Sequence, residues 1–400
     1  MVRVTILSPD ASGSANPYAA SQNPPLSYED WAPVTVLGAA SEGGLMLPSA
    51  TPTAGHLYGP RGVWIDDDLL IAADTGNHRV LIWHGLPTED GAPADVVLGQ
   101  PDAITEGPAA GGSGAANGMH LPTGILVSDG RLVIADAWHH RLLVWDEVPT
   151  DTGTPPDAVI GQPDPEAVDP NAGGEAGADT FYWPFGIALV DGRCYVTDTG
   201  NRRVLCWTDG IPEPGQPADI VLGQPDSRSR EENRGGPVAA DSFRWPHAVA
   251  SDGTGGLWVA DAGNHRILGW DAHPTQDRPA DRVLGQPDFT SGEEFPYVPQ
   301  ERRFRFPYGL ASADGDLAIA DTANNRVLLQ PTPDRLPVGA LDPTLSLGQP
   351  DLTANGENRW DAVGPDTMCW PYGLHWHRGA RELLAVADSG NNRVVLWERR

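Results

Sequence analysis

Six residues of this 400-residue chain share one position in a short recurring motif but differ in their chemistry. Each follows a proline and precedes a glycine or an alanine; the six are Arg61, Thr123, Phe185, His247, Tyr308 and Tyr372. A guanidinium, an imidazole and two phenols together offer anion recognition, hydrogen bonding and proton transfer. They form a site only if the fold brings six distant segments to one place.

One turn of the chain carries an indole beside two imidazoles, in the segment Ala137-Trp138-His139-His140. Corresponding segments have small residues there, as in Thr75-Gly76-Asn77-His78. We take Trp138 and His139 as the best single candidates for partner contacts, because an indole and an imidazole combine an apolar body with a polar group. The favoured alternative is that a neighbouring loop covers this turn.

Arginines give local positive charge to an otherwise acidic chain. They lie in two long segments, at Arg228, Arg230, Arg234, Arg244, Arg302, Arg303 and Arg305. Because arginine binds carboxylate or phosphate in a forked geometry, an anionic ligand or acidic partner is one interpretation, with Arg244 and Arg305 as contacts. The favoured alternative is pairing with nearby glutamates, namely Glu231, Glu232, Glu293, Glu294 and Glu301.

The elements that must position these residues repeat about every sixty residues. A pentapeptide [LI]-G-Q-P-D begins at Leu98, Ile160, Leu222, Leu284 and Leu347. The motif Ala-Asp-x-x-Asn-x-Arg, or a close variant, has its aspartate at Asp74, Asp136, Asp198, Asp261, Asp321 and Asp388. Apolar, β-branched runs that end at Gly, Asn or Asp indicate four short strands per unit, and no segment has a sustained helical period.

The two ends of the chain complete one unit. The last unit stops after its third strand at Trp397, while Ala32 to Gly38 resembles a fourth strand without a unit of its own. Joining them closes a ring and hides the strand edges. We predict an all-β, six-bladed β-propeller with four antiparallel strands per blade over residues 33–400, after an irregular arm over residues 1–32 that includes a short strand at Val2 to Leu7.

Several of these motifs resemble NHL repeats, among them Ala73-Asp-Thr-Gly-Asn-His-Arg79 and Ala387-Asp-Ser-Gly-Asn-Asn-Arg393. The resemblance extends to all six units and implies a six-bladed propeller. It implies less about function, because NHL propellers include enzymes, RNA binders, sensor domains and interaction platforms.

Groups that occur once per unit are expected to support the fold. The repeated aspartate is predicted to accept backbone N–H bonds in its turn and to meet the arginine five residues on. Gln-Pro-Asp is predicted to end a strand and start a turn. The tryptophans that close the third strand are predicted to pack between blades; they are Trp83, Trp145, Trp207, Trp270 and Trp397. Recognition is expected where units differ, on the face that carries the long loops between units.

Charge limits the class of partner. The chain has a formal net charge of −28 and all its basic residues are arginine, so its surface should repel nucleic acid and anionic lipid. No apolar run suits a signal peptide or a membrane span, so we expect no membrane insertion and a cytoplasmic location. Cys194 and Cys206 could face each other across a hairpin, but we expect reduced thiols that serve packing.

An enzymatic alternative needs a metal at the channel mouth. A zinc-dependent amidating lyase of the NHL type uses histidines at the Pro-x-Gly position in three blades, and here only His247 matches. The predicted first strands of the units contain no Asp or Glu for a calcium ion. His375 and His377 lie on one face of such a strand and give a weak metal signal.

We therefore predict a non-catalytic scaffold for protein–protein or peptide interaction, with no cofactor, no metal and no catalytic residue assigned. The predicted contacts are Arg61, Thr123, Trp138, His139, Phe185, Arg244, His247, Arg305, Tyr308 and Tyr372. The alternative is a metal-dependent lyase or hydrolase with its site at the mouth of the central channel. The sequence does not specify an oligomeric state.

Overall fold

Six four-stranded antiparallel sheets make up the fold. The computed structural model describes residues 30–38, 51–251, 253–294, 302–331 and 337–400. The predicted six-bladed propeller is confirmed, and the chain is mostly β with almost no helix. The predicted arm over residues 1–32 lies outside the described residues as far as residue 29, as does its short strand at Val2 to Leu7, and Trp31 already lies in a strand.

The first three blades are built from consecutive strands. Blade one has β2 (Gly62–Ile65), β3 (Leu69–Asp74), β4 (Arg79–His84) and β5 (Val96–Leu98). Blade two has β6 (Pro122–Ser128), β7 (Arg131–Asp136), β8 (Arg141–Trp145) and β9 (Ala158–Ile160). Blade three has β10 (Pro184–Val190), β11 (Arg193–Asp198), β12 (Arg203–Trp207) and β13 (Ile220–Leu222).

The last three blades follow the same order, except at the closure. Blade four has β14 (Pro246–Ser251), β15 (Leu257–Asp261), β16 (Arg266–Trp270) and β17 (Arg282–Leu284). Blade five has β18 (Pro307–Ala313), β19 (Asp316–Asp321), β20 (Arg326–Gln330) and β21 (Leu345–Leu347). Blade six has β22 (Pro371–Arg378), β23 (Glu382–Asp388), β24 (Arg393–Arg399) and, from the other end of the chain, β1 (Trp31–Gly38).

Short helical turns join some of these strands. Between the second and third strands of the blades they span Thr75–Asn77, Ala137–His139, Thr199–Asn201, Ala262–Asn264, Thr322–Asn324 and Ser389–Asn391. In the loops between blades they span Pro108–Gly112, Ala115–Asn117, Pro170–Gly173, Glu232–Gly235 and Glu357–Trp360. No helix among the described residues is long and apolar enough to cross a membrane.

The ring closes as the sequence predicts, by pairing the two ends of the chain. Strand β1 is antiparallel to β24, from Trp31 opposite Arg399 to Gly38 opposite Arg393, with an irregularity between Pro33 and Thr35. Closure removes the free edge that β24 would otherwise present.

Apolar side chains pack between neighbouring blades. Trp207 of blade three lies in one buried cluster with Leu142 and Val144 of blade two. Trp397 of blade six lies in another with Val327 and Leu329 of blade five. The tryptophans that close the third strands are at most 3% exposed, which confirms their predicted packing role.

A buried ion pair anchors the loop that enters each blade. Asp198 accepts a hydrogen bond from Arg203 Nε at 2.7 Å, and both side chains are fully buried. The other carboxylate oxygen accepts the backbone N–H of Tyr182, which lies just before β10. The sequence analysis predicted that the aspartate accepts N–H groups of the turn that follows it. The structure corrects this prediction: the carboxylate accepts an N–H group of the segment that enters the blade. The same pairs occur in the other blades as Asp74–Arg79, Asp136–Arg141, Asp261–Arg266, Asp321–Arg326 and Asp388–Arg393.

The Gln-Pro-Asp motif ties the end of the fourth strand to the loop that follows. Gln224 donates to the carbonyls of Asn201 and Glu231, and Asp226 accepts the N–H groups of Arg228 and Ser229. The predicted turn role is thereby confirmed.

Strand direction defines two faces of the propeller. We call "top" the face formed by the turns between second and third strands, the loops between blades and the Pro-x-Gly motifs. The hairpins between first and second strands and the loops between third and fourth strands form the opposite, bottom face, because antiparallel strands return the chain to alternate ends.

Candidate functional site at the top of the central channel

The six Pro-x-Gly residues meet at the top of the central channel. An open cavity there is lined by Arg61, Thr123, Phe185, His247 and Tyr308, and the Tyr372 ring stacks on that of Tyr308. The expected convergence of six distant segments is therefore present. Each of these segments is anchored by the buried Asp–Arg pair of its own blade. The repeated part of the fold therefore positions the six residues.

Aromatic side chains occupy most of the six Pro-x-Gly positions. The centroids of Tyr308 and Tyr372 are 4.7 Å apart with 9° between their planes. The His247 ring lies 4.4 Å from Phe185 on one side and 4.4 Å from Tyr308 on the other. Thr123 is buried and donates to the Phe185 carbonyl at 2.8 Å. Thr123 therefore serves the packing of blades two and three.

Below the aromatic ring the channel has an aliphatic waist. Six aliphatic side chains line both the top cavity and a second cavity that extends towards the bottom face: Val63, Ile125, Ile187, Val249, Leu310 and Leu374. The waist has no hydrogen-bonding side chain, so polar groups in the top cavity come from the residues above it.

Arg61 is the formal charge on the wall of the top cavity. Its guanidinium lies over the Tyr372 ring, 4.9 Å from the centroid. Among the described residues, no carboxylate forms an ion pair with it. Its backbone N–H donates to the Ala73 carbonyl, whereas its guanidinium forms no hydrogen bond with a described residue. The guanidinium donors are therefore available to the cavity.

His247 is held as a neutral imidazole. Burial lowers its pKa to about 3, against a weaker upward effect of the bond to Trp245. Nδ1 lies 2.9 Å from the Trp245 carbonyl oxygen. Since a carbonyl only accepts, Nδ1 carries the proton and Nε2 is left with its lone pair. His247 thus offers an acceptor within an aromatic wall.

One set of residues that links the blades was missed by the sequence analysis. It lies between Asn and Arg of the Ala-Asp motif, in left-handed backbone conformation, where Asn is tolerated well. His140 Nδ1 accepts the N–H of Trp183 at 3.0 Å, and Asn325 accepts that of Trp370 at 3.0 Å. His78, His265 and Asn392 do the same at their own junctions. The sequence contains the signal, because His and Asn at this position each offer a hydrogen-bond acceptor, Nδ1 or Oδ1.

Blade four lacks this link. Arg202 occupies the acceptor position and has no acceptor atom. The residue that would be held, Trp245, lacks the positive φ of its counterparts Leu121, Trp183, Phe306 and Trp370. Its carbonyl instead accepts the N–H of Ala262 and lies next to His247 Nδ1. The blade that carries the imidazole therefore enters the channel differently from the others.

Trp138 and His139 have separate roles. His139 Nδ1 lies 2.9 Å from Asp136 Oδ2, where the other blades place an asparagine, so His139 is a buried part of the blade support. Burial opposes ionisation of Asp136, but His139 and Arg141 outweigh it and lower the pKa of Asp136. Trp138 is 47% exposed, so the expectation that a loop covers this turn is wrong for the indole.

Arg244 and Arg305 lie on the rim and meet carboxylates of their own loops. Arg244 Nε is 3.4 Å from Glu232, and Arg305 is 2.8 Å from Glu294. Arg244 also lies over the Trp245 ring at 5.0 Å. These two arginines therefore agree with the alternative interpretation, in which the loop arginines pair with nearby glutamates.

The described residues contain no group of three or more His, Cys, Asp and Glu side chains placed to hold a metal ion. The His375 ring lies 5.2 Å from that of Trp64 of blade one in a tilted arrangement, and His377 lies 3.1 Å from the Asp67 carboxylate. The cysteines are free thiols. Tyr195, rather than Cys194, stands opposite Cys206, so the two thiols do not face each other as the sequence suggested.

Exposed large apolar side chains are concentrated on the top face. Those of the described residues are Tyr58, Ile104, Trp138, Val338, Trp360 and Trp370. Val338 lies in a loop between third and fourth strands, on the bottom face; the others lie in top-face loops or turns. Ring contacts continue inward from Trp138 to Trp183 at 6.0 Å and from Trp183 to His247 at 6.4 Å. We call this series of ring contacts, formed by Trp138, Trp183, His247, Tyr308 and Tyr372, the aromatic track.

Comparison with known proteins agrees with the fold. The NHL repeat family matches residues 243–270. The human NHL repeat-containing protein 2 is 27% identical over 285 residues, which is 66% of this chain and 36% of that protein. The chain thus spans about a third of the length of this relative.

Solved structures resemble it more distantly. A virginiamycin B lyase from Staphylococcus aureus is 11% identical, with a TM-score of 0.42 over 87% of this chain and 98% of that chain. Hydrazine synthase from Kuenenia stuttgartiensis is 12% identical, with a TM-score of 0.47 over 88% of this chain and 96% of that chain.

Proposed function

We propose that this chain, an NHL-repeat six-bladed β-propeller, is an interaction scaffold that binds a partner protein or peptide through its top face. The observation that carries this proposal is the distribution of exposed large apolar side chains, which among the described residues lie on the top face except for Val338. Aromatic side chains are enriched at the centre of protein interfaces, where they bury large areas at low entropic cost.

Charge supports a polypeptide partner over a nucleic acid. The chain has a net charge of −28, and Arg244 and Arg305 beside the aromatic track are already paired with glutamates. A phosphate backbone would need many unpaired cations on this face. A polypeptide needs mainly apolar pockets and a few polar anchors, which the aromatic track and the channel mouth offer.

Blade asymmetry supports the same face. The Asp–Arg pairs and the Gln-Pro-Asp turns recur around the ring and bind the chain's own loops. Trp138, His247 and Arg61 each occur in one blade only and lie on the aromatic track or in its central cavity. A partner that contacts these residues would recognise this propeller and not propellers in general.

The test is quantitative capture with a matched control on the bottom face. The tagged wild-type chain, the double variant Trp138→Ala/Tyr308→Ala and Val338→Ala are incubated with lysate of the source cells, and bound proteins are measured by mass spectrometry. Losing two central aromatic contacts should weaken binding by about 2 kcal/mol or more, or roughly 30-fold. Val338→Ala should retain capture. Equal recovery by all three folded proteins would exclude the top face as the binding surface.

A further inference from the structure

We propose that the top cavity binds a carboxylate carried next to an aromatic ring, with Arg61 as its cationic partner. The inference rests on the proposed function only in taking the top face as the recognition surface; it adds the chemistry of the group that enters the channel. It is carried by Arg61, by the two tyrosine hydroxyls and by the absence of an anion among the described residues that line the cavity.

Arg61 differs from the arginines that support the blades. Arg203, for example, uses Nε for Asp198 and its terminal nitrogens for carbonyls of Ser227, Gly177 and Thr180. The Arg61 guanidinium forms no hydrogen bond and no ion pair with any described residue. Its side chain is half-buried and its nitrogens are not fully buried, so its N–H groups reach open space.

Tyr372 holds the guanidinium at the wall of the cavity. Arg61 Cζ lies over the Tyr372 ring, 4.9 Å from its centroid, within the range of a cation–π contact. Two parallel N–H donors of a guanidinium match the two oxygens of a carboxylate.

The neighbouring polar groups also favour an anion. Burial raises the pKa values of Tyr308 and Tyr372, so both hydroxyls stay protonated and can donate. Neither hydroxyl has a hydrogen-bond partner among the described residues, and neither is fully buried. The neutral His247 adds no second positive charge. An uncompensated cation in an aromatic cavity is best satisfied by one anionic group.

The aromatic component follows from the walls. Phe185, His247, Tyr308 and Tyr372 present ring faces and edges around the cavity. The aliphatic waist below adds apolar surface to the floor of the cavity. A planar apolar group beside the carboxylate would pack against these rings. Such a ligand has two sources: a free aromatic acid, or an acidic side chain flanked by an aromatic residue on the partner.

Calorimetric titration of the full chain with matched probes tests the inference. Phenylacetate is compared with neutral phenylacetamide, and the peptide acetyl-Phe-Glu-Phe-amide is compared with acetyl-Phe-Gln-Phe-amide. Binding of at least one acid, about tenfold or more tighter than its amide, is expected. Preference for phenylacetate alone identifies a free acid as the source, and preference for the Glu peptide identifies the partner side chain.

Variants assign the effect to Arg61. Arg61→Gln should reduce acid binding about tenfold or more and reduce amide binding much less, while Arg61→Lys should retain part of the preference. Arg228→Gln is the matched control, because it removes the same charge from an exposed arginine outside the cavity. Absence of acid binding to the wild type, or an equal effect of Arg61→Gln and Arg228→Gln, would overturn the inference. The capture experiment with Trp138→Ala/Tyr308→Ala decides separately whether the top face binds a partner.

Discussion

The ion pairs between Asp and Arg show how a residue repeated in every blade supports the fold. Asp198 and Arg203 are fully buried and are tied to the backbone on both sides. Removing one partner of such a pair leaves an uncompensated charge in the interior. The pair therefore matters more for specifying the loop path than as a source of net stability.

Arg203→Ala should destabilise the protein by about 3–5 kcal/mol, because Asp198 would remain buried and unpaired. Arg278→Ala is the control, since Arg278 and Asp281 form an ion pair on the surface and its loss should cost about 1 kcal/mol or less. Denaturant unfolding of both variants measures the difference. Similar losses in the two variants would contradict the structural role assigned to the buried pair.

Individual residue roles could be predicted from the sequence only in part. The recurrence of the motif predicted a structural pairing of Asp198 with Arg203, and the structure shows that ion pair. His139 was nominated as a contact, yet it replaces an asparagine in the blade support, because an imidazole nitrogen can hydrogen-bond Asp136 as the amide does. The exposure of Trp138 depends on the path of neighbouring loops, which no local pattern specifies.

At the scale of elements, the blades are joined by side chains at the end of each turn. His78, His140 and His265 accept a backbone N–H from the next blade, and Asn325 and Asn392 do so elsewhere. Burial lowers the pKa of each of the three histidines from 6.5 to about 4. The neutral form is the one that accepts the hydrogen bond.

This arrangement makes the junctions sensitive to acid. A histidine whose pKa is lower in the folded state binds fewer protons there than in the unfolded chain. Its contribution to stability is therefore complete above about pH 6.5 and is lost as the pH falls towards 4. Near pH 5 the loss should be about 1 kcal/mol for each histidine, after allowance for their partial exposure.

The triple variant His78→Asn/His140→Asn/His265→Asn should remove much of this pH dependence. Asparagine keeps the acceptor and the left-handed backbone, as Asn325 and Asn392 do, but does not titrate. Free energies of unfolding measured between about pH 7 and pH 5 should fall less in the variant than in the wild type. An equally steep fall in both proteins would contradict the assigned role.

The strands themselves were predictable, whereas the junctions between blades were not. Short apolar runs bounded by Gly, Asn and Asp fix the hairpins locally, as in β11 and β12. The link between His140 and Trp183 joins residues of different blades, so its geometry exists only after the ring has closed. Trp245 in blade four has a different backbone conformation from its counterparts because Arg202 cannot accept its N–H. This difference also involves residues of two blades, so no local pattern predicts it.

For the whole molecule, closure by the two ends is the feature on which the central channel depends. Strand β1 covers the outer edge of β24 and contributes Trp31, Val36 and Leu37 to buried clusters. The ring of six Pro-x-Gly residues converges only because the sixth blade is complete. The sequence predicted this closure from a fragment at each end, which is a property of the whole chain.

Deleting residues 1–38 should therefore destabilise the protein strongly and favour aggregation, because β24 becomes an open edge beside exposed apolar surface. Deleting residues 1–29 keeps β1 and is the control. Thermal unfolding and size-exclusion chromatography compare the two. A monomeric protein with unchanged melting temperature after deletion of residues 1–38 would contradict closure by β1.

The central claim is that blades support the fold where they are alike and recognise a partner where they differ. Site-specific photo-crosslinking tests it most directly, with p-benzoylphenylalanine placed at Trp138, at Trp370 or, on the bottom face, at Val338. In lysate of the source cells, we expect crosslinks to a common partner from the two top-face positions and none from Val338. Crosslinks from Val338 to that partner, without any from Trp138 or Trp370, would contradict the account.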